Sequence, residues 1–115
     1  MKLLRPVDIC GRKYRVVSAS EEENPELSDK HGLCDFEAST IWIRSGVNRE
    51  VEVSILLHEM LHAAINATAM DVRLPGVRLE EDLVRALTAA LRPALVSAGW
   101  TEPKALRVPR KKASK

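Results

Sequence analysis

The chain has 115 residues, 45% of them hydrophobic, and a net charge of +2. That suits one small domain with a single modest core. Tyr14, Phe36, Trp42 and Trp100 are its only aromatic residues, so the core must come from Leu, Val, Ile and Ala, and no apolar run is long enough to cross a membrane.

At the start, Met1-Lys2-Leu3-Leu4 resembles a signal peptide, but Arg5-Pro6 ends the apolar run early, so no leader is expected. Cys10 and Cys34 form neither a CxxC pair nor a disulfide framework. Reduced thiols and a cytoplasmic location follow as expectations. Residues 13–19, with Tyr-Arg-Val-Val, read as a strand. Residues 20–30 are acidic and polar, contain Asn24-Pro25, and read as an exposed loop. Two short extended runs follow at 33–36 and 40–43, joined by Glu37-Ala38-Ser39 as a hairpin connection. Ile41 and Ile43 alternate with Trp42 and Arg44, the pattern of a half-buried strand.

Ser45-Gly46-Val47-Asn48 breaks the strand. Asn48 suits an N-cap, and Glu50 and Glu52 place acids in the first turn of a helix over about 49–68. Between Ile55 and Ile65 that helix is apolar over much of its surface, which predicts a buried central position. Pro75-Gly76 marks a turn before a second helix over about 79–98. Leu83, Val84, Leu87, Leu91 and Leu95 repeat there at helical spacing, Arg92-Pro93 should perturb it, and Gly99 suits its end. The fold class expected is α+β, a small antiparallel sheet packed on two helices, with residues 1–102 as one domain.

Residues 103–115 carry six basic side chains and no acid. Removing those six charges from the balance of +2 leaves residues 1–102 at −4. Such a tail is expected to be disordered and solubilising. A contact with nucleic acid ranks last, because the chain offers no aromatic stacking surface and no clear recognition helix.

The chemistry centres on His58-Glu59-Met60-Leu61-His62. Residues four apart share a helix face, so His58 and His62 can direct two imidazoles at one ion. Glu59 can reach a water on that ion as general base, the arrangement of a zinc peptidase with one Zn²⁺ per chain. Its neighbours Leu56, Leu57, Met60 and Leu61 argue against a plain solvated glutamate. A catalytic zinc wants a third protein ligand. The metzincin extension is excluded, because Ile65 and Thr68 occupy the positions where that pattern needs glycine and histidine. His31 lies far upstream, and Asp71 is a possible carboxylate. Glu80 and Glu81 are better placed, at the start of the second helix. Taking Leu83, Val84, Leu87 and Leu91 as the inward face puts Glu80 in its middle and Glu81 at its edge. A carboxylate aimed into a core asks for a cation. Glu80 is therefore the favoured third ligand, with Glu81 the alternative. His31 and Tyr14 could donate to a developing oxyanion by chemistry alone, and His31 with Cys34 is a weak separate metal pair.

Gly32-Leu33-Cys34-Asp35, Thr40-Ile41-Trp42-Ile43, Ile55 to Ala63 and Glu80 to Leu87 together cover roughly residues 10–98. In that order they resemble the small HExxH zinc peptidases of phage and prophage genomes, near the ImmA/IrrE-type and SprT-like minimal zincins. The resemblance implies a minimal zincin-like domain with a third-ligand glutamate from the second helix. It implies phage-encoded or bacterial origin, and a protein or peptide substrate. It also implies that the strand around Thr40, Ile41, Trp42 and Ile43 would hold an extended substrate by strand addition. The chain departs from larger zincins in having no second subdomain to close the cleft, which points to a narrow substrate. The competing reading is a zincin-like protein that keeps the metal, has lost turnover and serves as an interaction module. That reading needs the histidines but not Glu59.

Overall fold

A computed structural model describes residues 1–68, 73 and 76–99. The elements in chain order are β1 (Lys2–Leu3), β2 (Val7–Ile9), β3 (Arg12–Ala19), a 3-10 turn at Pro25–Leu27, β4 (Gly32–Asp35), β5 (Thr40–Arg44), α1 (Arg49–Ala67) and α2 (Val77–Ser97). The class is α+β, as the patterning implies. The basic tail and Asp71 lie outside the described residues. Among those described, no helix is long and apolar enough to cross a membrane.

Five strands form one sheet in the order β1-β3-β5-β4, with β2 also paired to β3. β2 and β3 are joined through Cys10 (φ 53°) and Gly11 (φ 84°). Two positive φ angles in a two-residue hairpin loop are the turn whose twist matches the strands. The β1 and β2 pairings escaped the sequence reading because each strand is only two or three residues long. One expectation is corrected: the sheet is mixed, not antiparallel throughout. β3 and β5 run parallel, with Val16 opposite Ile41 and Ser18 opposite Ile43. Parallel neighbours need a long connection, and residues 20–39 supply it. They carry the chain past the 3-10 turn to β4, and β5 then returns between β4 and β3.

α1 begins where Asn48 accepts a hydrogen bond from the Val51 N–H at 2.9 Å. It has two working faces. Val53, Leu56 and Ala63 enter the core with Tyr14, Val16, Ile41 and Ile43 from the sheet. Ser54, His58, Glu59 and His62 line a cavity instead. This division explains why the helix reads as apolar almost all round.

α2 runs through Pro93 to Ser97, and Gly99 (φ 87°) follows its C-terminal residue Ala98. Its inward face is not the one that the leucines suggest. Val84 is fully buried, whereas Leu83, Leu87 and Leu91 are 39%, 37% and 42% exposed. The helix is turned so that Val84, Thr88 and Leu95 face inward, and the leucine row lies along its open side. Val84→Ala should therefore cost about 1–3 kcal/mol, and Leu87→Ala less than about 1 kcal/mol. Urea unfolding midpoints of the two variants check this, and equal losses would contradict the observed face.

Candidate metal centre

α1 holds His58 and His62 one turn apart, with ring centroids 4.9 Å from each other and an edge-on angle of 64°. α2 brings two carboxylates to them. Glu81 reaches both rings, 3.0 Å from His58 Nε2 through Oε1 and 2.9 Å from His62 Nε2 through Oε2. Glu80 reaches His62 from the other side, 2.6 Å from Nδ1. His58, His62 and Glu81 are the group whose ligand atoms all lie within 4.8 Å of one another.

This geometry corrects the preference between the two glutamates. The structure places Glu81, not Glu80, at the converging Nε2 atoms. The cause is the rotation of α2. At about 100° per residue, Glu80 and Glu81 sit to either side of Val84, so both point towards α1 and clasp His62 between them. Centring the face on the exposed leucines had swung it towards Glu80 alone. Glu80 instead lies 2.6 Å from His62 Nδ1, a contact that orients the ring.

The donor set fits a cation on electrostatic grounds. His62 meets a carboxylate oxygen at each ring nitrogen, Glu80 2.6 Å from Nδ1 and Glu81 2.9 Å from Nε2. Two acceptors at that distance repel unless a proton or a metal ion lies with them. Two imidazole nitrogens and one carboxylate, with one position left for water, are the donors of a catalytic zinc site. Burial lowers the pKa of His58, favouring the neutral imidazole that can bind a metal. Burial alone would raise Glu81, but His58, His62 and Arg85 beside it bring its pKa below the usual value.

Glu59 does not join this group. It lies half-buried on the wall of the same cavity, which has a volume of about 680 Å³. Burial raises its pKa to about 7, with the nearby Glu81 adding and His62 and Lys30 opposing. Its place depends on Gly32. A Cβ there would come within 2.5 Å of Ile55 Cγ2 and 3.2 Å of Glu59 Cγ and Oε2. Gly32, in β4, thus lets the strand pass close over Ile55 and Glu59.

The other sequence candidates divide. Thr40, Ile41, Trp42 and Ile43 cannot accept a substrate strand, because β5 is paired on both sides, to β3 and to β4. The strand pattern marks β5 as half-buried but says nothing of its neighbours in the sheet. The edge strand beside the cavity is β4, whose Gly32, Leu33 and Cys34 line it. Tyr14 is 1% exposed in the core and is not on the cavity wall, so it has no part there. His31 is on the wall and exposed, outside the metal-ligating group. Cys34 is half-buried on the same wall, with its thiol pushed up to about 12 by burial, then by Glu59 and Asp35. Lys30 and Arg85 also line the cavity. Sequence reasoning gave them no role, since single basic residues far apart in the chain carry no signal until the fold joins them.

A scan against family models finds no match to this chain, and neither a curated protein nor a solved structure matches it.

Glu81→Gln should abolish tight zinc binding, whereas Glu80→Gln should weaken it by about 10–100-fold, the usual effect of losing a partner that orients a ligand. Competition with a chelating dye measures both, and equal losses would return Glu80 to the ligand set. A thiol whose pKa lies near 12 holds roughly one thiolate in 10⁴ at pH 8. Iodoacetamide at that pH should therefore alkylate the exposed Cys10 and spare Cys34 until urea unfolds the chain, as peptide mass spectrometry would report.

Proposed function

We propose that this chain is a zinc-dependent peptidase of narrow intracellular specificity. The observation that carries the reading is the presence of Glu59 on the wall of the cavity into which His58, His62 and Glu81 converge. A module that only stores a metal has no use for a buried carboxylate placed beside the ion site and kept clear by a glycine.

His58 and His62 would hold the ion through Nε2 and Glu81 through its carboxylate, with Glu80 fixing the His62 ring. A zinc ion there supplies Lewis acidity, polarising a carbonyl and bringing the pKa of water towards neutrality. The peptide would lie along the free edge of β4, its main chain pairing with the strand as an added neighbour. Glu59 would take a proton from the attacking water as its oxygen bonds to the peptide carbon. It would then pass that proton to the departing amine as the C–N bond breaks.

A cytoplasmic setting accords with two free cysteines, Cys10 exposed and Cys34 half-buried. The narrow specificity follows from the small body. β4 with its flanking residues, α1 and α2 line the cavity, so a substrate must bring much of its own order.

Glu59→Gln should keep zinc at one ion per chain and lower the cleavage of unfolded casein by about 10²–10⁴-fold, the contribution of a positioned base. Metal analysis and gel densitometry on the same preparations test this. Undiminished cleavage by Glu59→Gln, or a wild-type chain that retains no zinc when purified without chelators, would defeat the proposal.

A further inference from the structure

The cavity carries positive charge at its walls that the metal group does not use. Lys30 stands two residues before β4 on one side, and Arg85 projects from α2 on another, both lining the cavity. Two of the three carboxylates of the cavity are already engaged. Glu80 is held by His62 Nδ1 and Glu81 by two imidazoles, and Glu59 feels the charge of Lys30 without an ion pair to it. Among the described ion pairs, Lys30 has no carboxylate partner. Arg85 touches Glu81 through Nε alone, at 3.2 Å, and its side chain is 72% exposed. Its two terminal nitrogens are left to take another acceptor.

These cations are not part of a generally basic surface. Residues 1–102 carry a net −4 once the six basic residues of the tail are set aside from the total of +2. Two cations in a concave, partly apolar mouth act more strongly than the same charges on an open face, because low-dielectric walls focus the field. Leu33 and Phe36 from the β4 side and Val51 and Ile55 from α1 supply those walls. A divalent ion over His58, His62 and Glu81 would add charge of the same sign.

We infer that Lys30 and Arg85 together recognise a carboxylate of the bound peptide. The pose of the peptide along β4 rests on the peptidase reading above. The guanidinium of Arg85 can take a carboxylate through two parallel hydrogen bonds, and Lys30 adds a point charge from the β4 side. The carboxylate has two possible sources, an Asp or Glu side chain near the scissile bond or the free end of the peptide.

The test uses the full chain as Glu59→Gln, loaded with zinc and immobilised. The probe is a synthetic pool of decapeptides randomised at the six central positions, half with a free C-terminal acid and half amidated. Mass spectrometry reads the retained fraction. An acidic side chain as source predicts about tenfold enrichment of Asp and Glu over Lys and Arg in both halves, the factor expected of one charge-assisted contact. A terminal carboxylate as source predicts preferential retention of the free-acid half whatever its composition. Lys30→Gln and Arg85→Gln should each reduce the bias, and the double variant should remove it. A retained pool with neither bias, a bias unchanged in the double variant, or no retention above the double variant would each overturn the inference. Zinc content of the column separates the two proposals. A zinc-loaded column with neither bias defeats this inference alone. A column that holds no zinc yet shows either bias through Lys30 and Arg85 defeats only the peptidase reading.

Discussion

Two imidazole nitrogens, each within hydrogen-bond distance of one carboxylate, are the constraint around which this small protein is arranged. A proton or a metal ion must lie in each of these contacts. α1 offers the two histidines because one helical turn separates them, and α2 must lie close enough to bring Glu81 across. Val84, three residues beyond Glu81, is the fully buried residue of α2. Glu80 and Glu81 then fall to either side of His62, one fixing the ring and the other meeting its Nε2.

The same helix has to serve the core. Val53, Leu56 and Ala63 pack on the sheet while Ser54, His58, Glu59 and His62 face the cavity. Apolar burial on one side holds the helix rigid, and the polar residues on the other inherit that rigidity. β4 completes the site from the sheet side. It is an edge strand, so its main chain is open to a further strand, and Gly32 lets it pass close over Glu59. The edge strand, Glu59 and the metal-ligating group thus meet in one cavity through three elements.

Much of the fold was legible in the chain because the signals were local. Asn48 caps α1, Gly99 follows the end of α2, and the runs around Leu33 and Ile41 are strands, each set by backbone preferences within a few residues. The loop at 20–30 hid a 3-10 turn whose Leu27 is fully buried, because one apolar residue among acids leaves no periodic pattern. The parallel pairing of β3 with β5 was not legible either. Alternation in a strand reports how many faces are buried, not which strand lies beside it.

The sequence by itself determined the chemistry that was possible: the spacing of His58 and His62 on one helix face, Glu59 between them, and a pair of acids opening the next helix. Those are properties of residue type and helical period, which tertiary packing does not alter. Only the tertiary structure decided which acid meets the imidazole nitrogens and which strand borders the cavity. The first depends on a rotation of α2 by a fraction of a turn, fixed by Val84, Thr88 and Leu95 rather than by the longer leucine row. The second depends on β5 entering between β3 and β4. Both are matters of which surfaces meet, and a surface acquires its partner only when distant parts of the chain compete to bury it.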